Sequence, residues 1–282
     1  MRCFTIKCLS TALSPITHMS GTKGNVGIIA REAVTTDHGT VFVPFLSGNA
    51  LRHRLVRRPG MLWLADEYQL RDRMPLAVFN FLVHGGNLTE STARENTGRI
   101  REMHRTWPLL RLLGGSLPDQ IVAGSLDVWR GKLVCEENRR HLSDVFGELP
   151  AQRLYPAETF VSEYQYTRGD AAKLGLNSDD AVIEDSNLMI INGQCIQRGA
   201  VFAHGFVLKH TSELELGALF WSLRLWQQAG ATIGGMAARG HGRLLLQLLA
   251  DGFNQKKLCR QYVEYVRDNK KKAIAWLEDA WG

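Results

Sequence analysis

The chain has 282 residues and a formal net charge of +6, from 34 Lys and Arg against 28 Asp and Glu. With 45% hydrophobic and 22% charged residues it is not an intrinsically disordered chain, and its length can fill the core of one large domain or two modest ones. No run approaches the ~20 apolar residues of a membrane span, Lys7 interrupts any signal-peptide core, and the five scattered cysteines, with no C-x-x-C, argue against a disulfide framework or zinc site and for a reducing cytoplasm.

In chain order, residues 3–13 alternate as a strand. SGTKGNVG at 20–27 reads as a flexible loop carrying Lys23. Residues 28–36 are extended, Asp37-His38-Gly39 is a turn, and residues 41–46 form a short strand. Ser47 or Asn49 then caps a helix in which Leu51, Leu55 and Val56 share one face. Residues 61–153 read as mostly helical, with an extended piece from 120 to 136. Residues 158–168 alternate again and lead into a polar excursion over 169–198, long enough for a functional loop or hairpin. A further strand at 198–210, an amphipathic helix at 213–230, a glycine loop at 234–243 and a helical tail from 256 complete the chain. The fold class expected is α+β on an antiparallel sheet.

Charge is unevenly spread. Residues 1–60 carry +6, 61–199 carry −4, 200–260 carry +4, and 261–282 balance; these sums recover the total. Two basic segments bracket an acidic middle, which suits either a polyanion surface built from both ends of the chain or a solvated basic face.

Four stretches carry candidate chemistry. The loop GGMAARGHGR frees backbone N–H groups for an anion through Gly234, Gly235, Gly240 and Gly242, with Arg239 and Arg243 adding charge; a plain tight turn has the same composition. It lacks the Lys-Ser/Thr of a Walker loop, and it follows a helix rather than opening one. SGNALRHRLVRR places Arg52, His53, Arg54, Arg57 and Arg58 at a helix start, where orphan N–H groups also favour phosphate; a solvated helix face is the alternative. Tyr164 and Tyr166 can stack on bases and Arg168 can pair with phosphate, or the rings can pack on a core. The fourth stretch is the loop at 20–27 with Lys23, which a plain surface loop explains equally. The nine histidines show no metal spacing; His18, His38, His84, His204 and His210 read as surface or satisfied core residues.

Taken in order, ITHMSGTKGNVG, VFVPFLSGNALRHRLVR and IGGMAARGHGRL resemble the RAMP superfamily of CRISPR proteins. The residues that carry the likeness are Pro44, Ser47, Gly48, Leu51 and Arg52, then Gly234, Gly235, Gly240, Gly242 and Arg243. Within it the chain looks like a Cas-seven-type backbone subunit, closest to the type IV version, with type III subunits sharing the frame. The resemblance implies an RRM-like (ferredoxin-like) palm at 1–60 and 154–255, with a thumb β-hairpin at about 164–200. It also implies an inserted, mostly helical domain at 61–153 and a C-terminal helix at 256–282.

By the same resemblance, copies polymerise in a helical filament along a CRISPR guide RNA. The implied partners are that guide RNA, further copies of the chain, proteins bound to the guide's 5'-end and 3'-end, a helicase, and target DNA or RNA. The candidate RNA-binding residues are Ser20, Lys23, Ser47, Gly48, Asn49, Arg52, His53, Arg54, Tyr166, Arg168, Gly234, Gly235, Arg239, His241 and Arg243. Phosphate contacts dominate such affinity, and pairing reads the sequence. No cofactor, metal or catalytic residue is implied. Type III subunits cut target RNA with an aspartate in the loop matching 27–34; here that stretch reads GIIAREAV, with Glu32 and a displaced Asp37, so a non-cleaving subunit is expected. A metal-dependent endoribonuclease using Glu32 or Asp37, and a small-nucleotide enzyme using the glycine loop, remain the alternatives.

Overall fold

The computed structural model describes residues 2–24, 26–88, 96–147, 154–168, 189–250 and 252–281. Strand β1 (Arg2–Ala12) buries Ile6, Cys8, Ser10 and Ala12 on one face and half-covers Lys7, Leu9 and Thr11 on the other, the period-two pattern of a strand covered on both sides. Where a plain loop was expected at 20–27, strands β2 (Met19–Lys23) and β3 (Val26–Ile29) pair as a hairpin. The loop reading is corrected to a hairpin, and β3 gains in addition a parallel partner, β11 (Met189–Ile196), more than 160 residues away, which local composition does not encode. Strands β4 (Arg31–Thr36) and β5 (Gly39–Leu46) flank the expected turn.

Ser47 ends β5 and caps the next helix, its hydroxyl accepting from the Ala50 N–H at 3.2 Å. Helix α1 (Gly48–Leu51), a π-helical stretch Arg52–Arg57 and α2 (Arg58–Glu67) run on without a break. Pro59 has no N–H to donate, and the widened register accommodates it. After α3 (Leu76–Phe79), a second π-helical stretch, Asn80–His84, closes on Gly85. The mostly helical stretch continues as two helices, α4 (Thr97–Thr106) and α5 (Pro108–Leu113), because Pro108 restarts the helix after extended Trp107. Short strands β6 (Gly115–Ser116), β7 (Ile121–Val122), β8 (Leu126–Val128) and β9 (Gly131–Leu133) lead to α6 (Arg139–Phe146).

Strand β10 (Val161–Arg168) pairs antiparallel with β11, and β12 (Val201–Thr211) follows. Helix α7 (Glu213–Gln228) opens with a capping box between Ser212 and Glu215. Strand β13 (Leu244–Leu249) ends the sheet. The tail is two helices rather than one, α8 (Gln255–Asp268) and α9 (Lys270–Trp281), divided at Asn269.

The main sheet runs β13–β1–β12–β9–β5–β4, with β8 also beside β12, and every pairing in it is antiparallel. A second sheet runs β10–β11–β3–β2, and β6 pairs with β7. One face of the main sheet packs into the large core with Leu55, Leu219, Leu223 and Tyr262; the other carries a smaller cluster of Val134, Val201 and Ala203 under Leu142 of α6. The boundary drawn at residue 60 falls inside continuous helix. Phe81, Trp107 and Leu109 of the stretch 61–153 share the large core, and β8 and β9 join the main sheet. The α+β class with an antiparallel sheet is the one expected.

Candidate nucleic-acid interface

The glycine loop is held from below by the segment before β2. The Gly235 N–H donates to the Thr17 carbonyl at 2.8 Å, and the Gly242 N–H donates to the Pro15 carbonyl at 2.7 Å. Gly234 and Gly242 have φ of +75° and +86°, and a Cβ on either would collide with a carbonyl oxygen, of Thr17 and of Ile233 respectively. Between them, residues Ala237–Arg239 form one 3₁₀ turn closed by Gly240. The glycines therefore serve backbone geometry first, and the result is a fixed turn that presents Arg239 and His241.

Those two side chains meet the second sheet. The Arg239 guanidinium carbon lies 3.6 Å from the centroid of the Tyr166 ring. Tyr166 stacks with Tyr164, centroids 6.1 Å apart and 12° between planes, as expected for strand residues two apart. His241 meets Tyr164 edge-on at 5.6 Å, and its Nδ1 is 2.8 Å from the Thr17 hydroxyl. Tyr164 lies over Gly193, its register partner on β11, where a Cβ would occupy the ring's place. Burial, then the Arg239 charge, holds His241 below the ordinary imidazole range. This is a half-exposed platform of two tyrosines, one imidazole and one cation. It offers π faces for bases and charge for phosphate.

The helix after Ser47 joins the platform through one residue. Arg54 donates to the Gly234 carbonyl at 3.1 Å. Its neighbours turn elsewhere. Arg52 donates to the Leu113 carbonyl at the end of α5, and the buried Arg57 donates to the carbonyls of Phe81, Leu82, Leu113 and Gly114 at 2.7–3.3 Å. Burial drives the Arg57 pKa down to about 10. Arg52, placed among the RNA-facing residues by sequence, is thus drawn inward by carbonyls that only packing brings near. His53 stacks on His84 at 5.7 Å, and the pair lines a cleft of about 550 Å³ with Asn49. Burial first, then His84 and the nearby arginines, lowers the His53 pKa.

The remaining candidates do not enter the platform. Ser47 and Gly48 shape the helix start: the Ser47 N–H donates to His18 Nε2 at 3.1 Å, and a Cβ on Gly48 would strike the Val128 carbonyl. Ser20 and Lys23 are exposed on the edge strand β2. Arg243 is exposed and bonds through its backbone to Ser14 and Leu13. Arg168 ends β10; its side chain, like the thumb residues 169–188, lies outside the described residues. Glu32 is paired with Arg130 at 3.2 Å, and Arg130 also lies over Phe45 at 5.1 Å. Among the described residues no three His, Cys, Asp or Glu side chains are grouped to hold a metal. His204 is a buried core residue, its Nε2 2.8 Å from the Ser10 hydroxyl, but it is not fully satisfied as read, since its buried Nδ1 has no hydrogen-bond partner among the described residues. Sequence reasoning set His84 aside, and it passed over Thr17, although Thr17 lies inside the first motif stretch.

An antiparallel sheet backed by helices, with a glycine turn set against a second hairpin sheet, is an α+β architecture of the RRM-like palm class. The fold is similar to that of a solved chain described as a Type IV-B CRISPR complex. The match covers 89% of this chain and 92% of that one, with a TM-score of 0.61 at 16% sequence identity. No protein-family model matches the sequence, and no curated protein matches it. Among the described residues no helix is long and apolar enough to cross a membrane, and all five cysteines are free thiols.

Proposed function

We propose that this chain is a guide-RNA-binding backbone subunit of a CRISPR effector complex. In this reading copies stack along one guide, present it for pairing with plasmid or phage DNA, and do not cut the target themselves. One observation carries it: Tyr164, Tyr166, Arg239 and His241 form a single cation–aromatic surface, tied to the arginine-bearing helix by Arg54, on a fold like that of a chain from a Type IV-B CRISPR complex. Single-stranded RNA binds such surfaces through stacking and phosphate contacts. Other subunits of the complex, at the guide's ends, are the partners, and the cytoplasm is the compartment. Neighbouring copies meet acidic face to basic face, in keeping with the segmental charge.

Purification of the full chain from cells expressing a CRISPR array tests this. Bound RNA of guide length in a multi-copy particle is expected; a monomer with a nucleic-acid-free absorbance spectrum rejects it. Incubating the particle with complementary RNA and magnesium tests the absence of cleavage. Intact RNA is expected, and regularly spaced cuts lost on Glu32→Ala or Asp37→Ala would reassign the chain as a nuclease. The Glu32–Arg130 pair supports the non-cleaving reading, because it engages one oxygen of the acid within the stretch 27–34.

A further inference from the structure

Three basic residues of α4, α8 and α9 are held by acidic or carbonyl partners. Arg99 pairs with Asp119 at 3.2 Å and lies 3.6 Å from Asp279; Arg267 pairs with Glu67 at 2.9 Å, and Lys270 donates to the Glu67 carbonyl at 3.1 Å. Arg101, Arg105 and Lys272 are different. They are exposed, none has an ion-pair partner among the described residues, and all three line one cleft of about 500 Å³ between α4 and the α8–α9 junction. The cleft holds a single carboxylate, Glu102, with Tyr265 and Asn269 completing its wall. The Tyr265 hydroxyl donates to the Arg105 carbonyl, which fixes the end of α4 against α8. None of these residues belongs to the Tyr166–Arg239 platform.

We infer that this cleft binds the phosphodiester backbone of a nucleic-acid strand, at a second surface separate from the platform. Three cations around one groove match a chain of repeated phosphates, which engages them together and releases counterions. A protein partner needs apolar area at the centre of its contact. The large hydrophobic side chains exposed on the described residues, such as Phe42, Leu76, Ile121 and Leu245, all lie off these three helices. The inference stands without the guide-RNA reading, because a different set of residues carries it.

The experiment compares the full-length chain with the triple variant R101E/R105E/K272E, using labelled single-stranded RNA, single-stranded DNA and duplex DNA across a salt series. An affinity loss of at least about tenfold near ~0.1 M salt is expected for one of the three. With a single strand as the ligand, the slope of log affinity on log salt should become shallower by about 2, since each phosphate contact contributes roughly 0.7. The probe that loses most identifies the ligand. The neutral variant R101Q/R105Q/K272Q should keep the parent melting temperature and still lose part of the slope, which separates binding from folding. The same loss in an Arg239→Ala background shows a site independent of the platform, so failure of either reading leaves the other testable. Unchanged affinity and slope for all three probes overturns the inference. So does a variant that binds nucleic acid normally but no longer self-associates in sedimentation, which would make the cleft a protein-docking surface.

Discussion

Arg54 and Gly234 lie 180 residues apart in sequence, yet the guanidinium of one donates to the carbonyl of the other at 3.1 Å. This bond joins the two basic segments of the chain. It fixes the π-helical stretch Arg52–Arg57 against the glycine turn, so the turn that carries Arg239 and the helix that carries Arg54 form one surface. The acidic middle contributes no residue to that contact.

The glycine turn should be intolerant where its backbone is crowded and tolerant where it is open. Gly242→Ala and Gly234→Ala each combine a left-handed φ with a collision against a carbonyl, and should cost about 3 kcal/mol or more of stability. Gly240→Ala has the same φ sign but open space around it, and should cost only about 1–2 kcal/mol. Urea denaturation midpoints check the ranking.

The platform should bind by stacking as well as charge. Tyr166→Ala should weaken single-stranded RNA binding by about 1–3 kcal/mol with little change in salt slope. Arg239→Lys keeps the charge but loses the planar contact with Tyr166, and should retain the slope while losing affinity. Fluorescence anisotropy at several salt concentrations separates the two terms; an Arg239→Lys variant with full affinity would reduce the residue to a simple charge.

Arg57 should prove structural. Its buried guanidinium donates to four carbonyls at the ends of two helical segments, and Arg57→Met removes all four of these bonds at once, although Leu113 keeps Arg52 and Phe81 keeps the Gly85 N–H as donors. A loss of about 3 kcal/mol or more is expected, with the urea m-value unchanged. By contrast Arg58, exposed one residue later, should be replaceable by Gln within about 0.5 kcal/mol.

His204 should give the fold an acid-sensitive component. Burial lowers its pKa from 6.5 to about 4 in the folded chain. Below pH 6.5 the unfolded chain takes up a proton that the folded chain refuses, so stability falls as pH drops from about 6.5 to 4 and is fully present above that window. The difference of about 2.5 units corresponds to about 3 kcal/mol. Denaturation at pH 7 and pH 4 should show His204→Gln losing less stability across that interval than the parent does. An equal loss in both proteins would remove the histidine from the account.

Much of the architecture follows from neighbours within a few residues. Alternation in CFTIKCLSTAL, the Ser47 cap, the Ser212–Glu215 capping box and the glycines of GGMAARGHGR all act over short spans, so their positions can be read along the chain. The uneven charge is equally local, a matter of counting. These features determined an α+β chain with a helix capped after a short strand and a glycine turn before a last strand. Which cations remain free is a different kind of property. Arg52 and Arg57 look no different in sequence from Arg54, but carbonyls 57 and 61 residues away hold them inward. Arg101, Arg105 and Lys272 sit in segments whose net charge is negative or zero, and only the packing of α4 against α8 and α9 gathers them in one cleft. Likewise the β2–β3 hairpin is joined to β10 and β11 in one sheet only through the parallel contact of β3 with β11. Tertiary structure decided these points because a donor's availability depends on the acceptors that folding delivers to it, and no short window of sequence contains them.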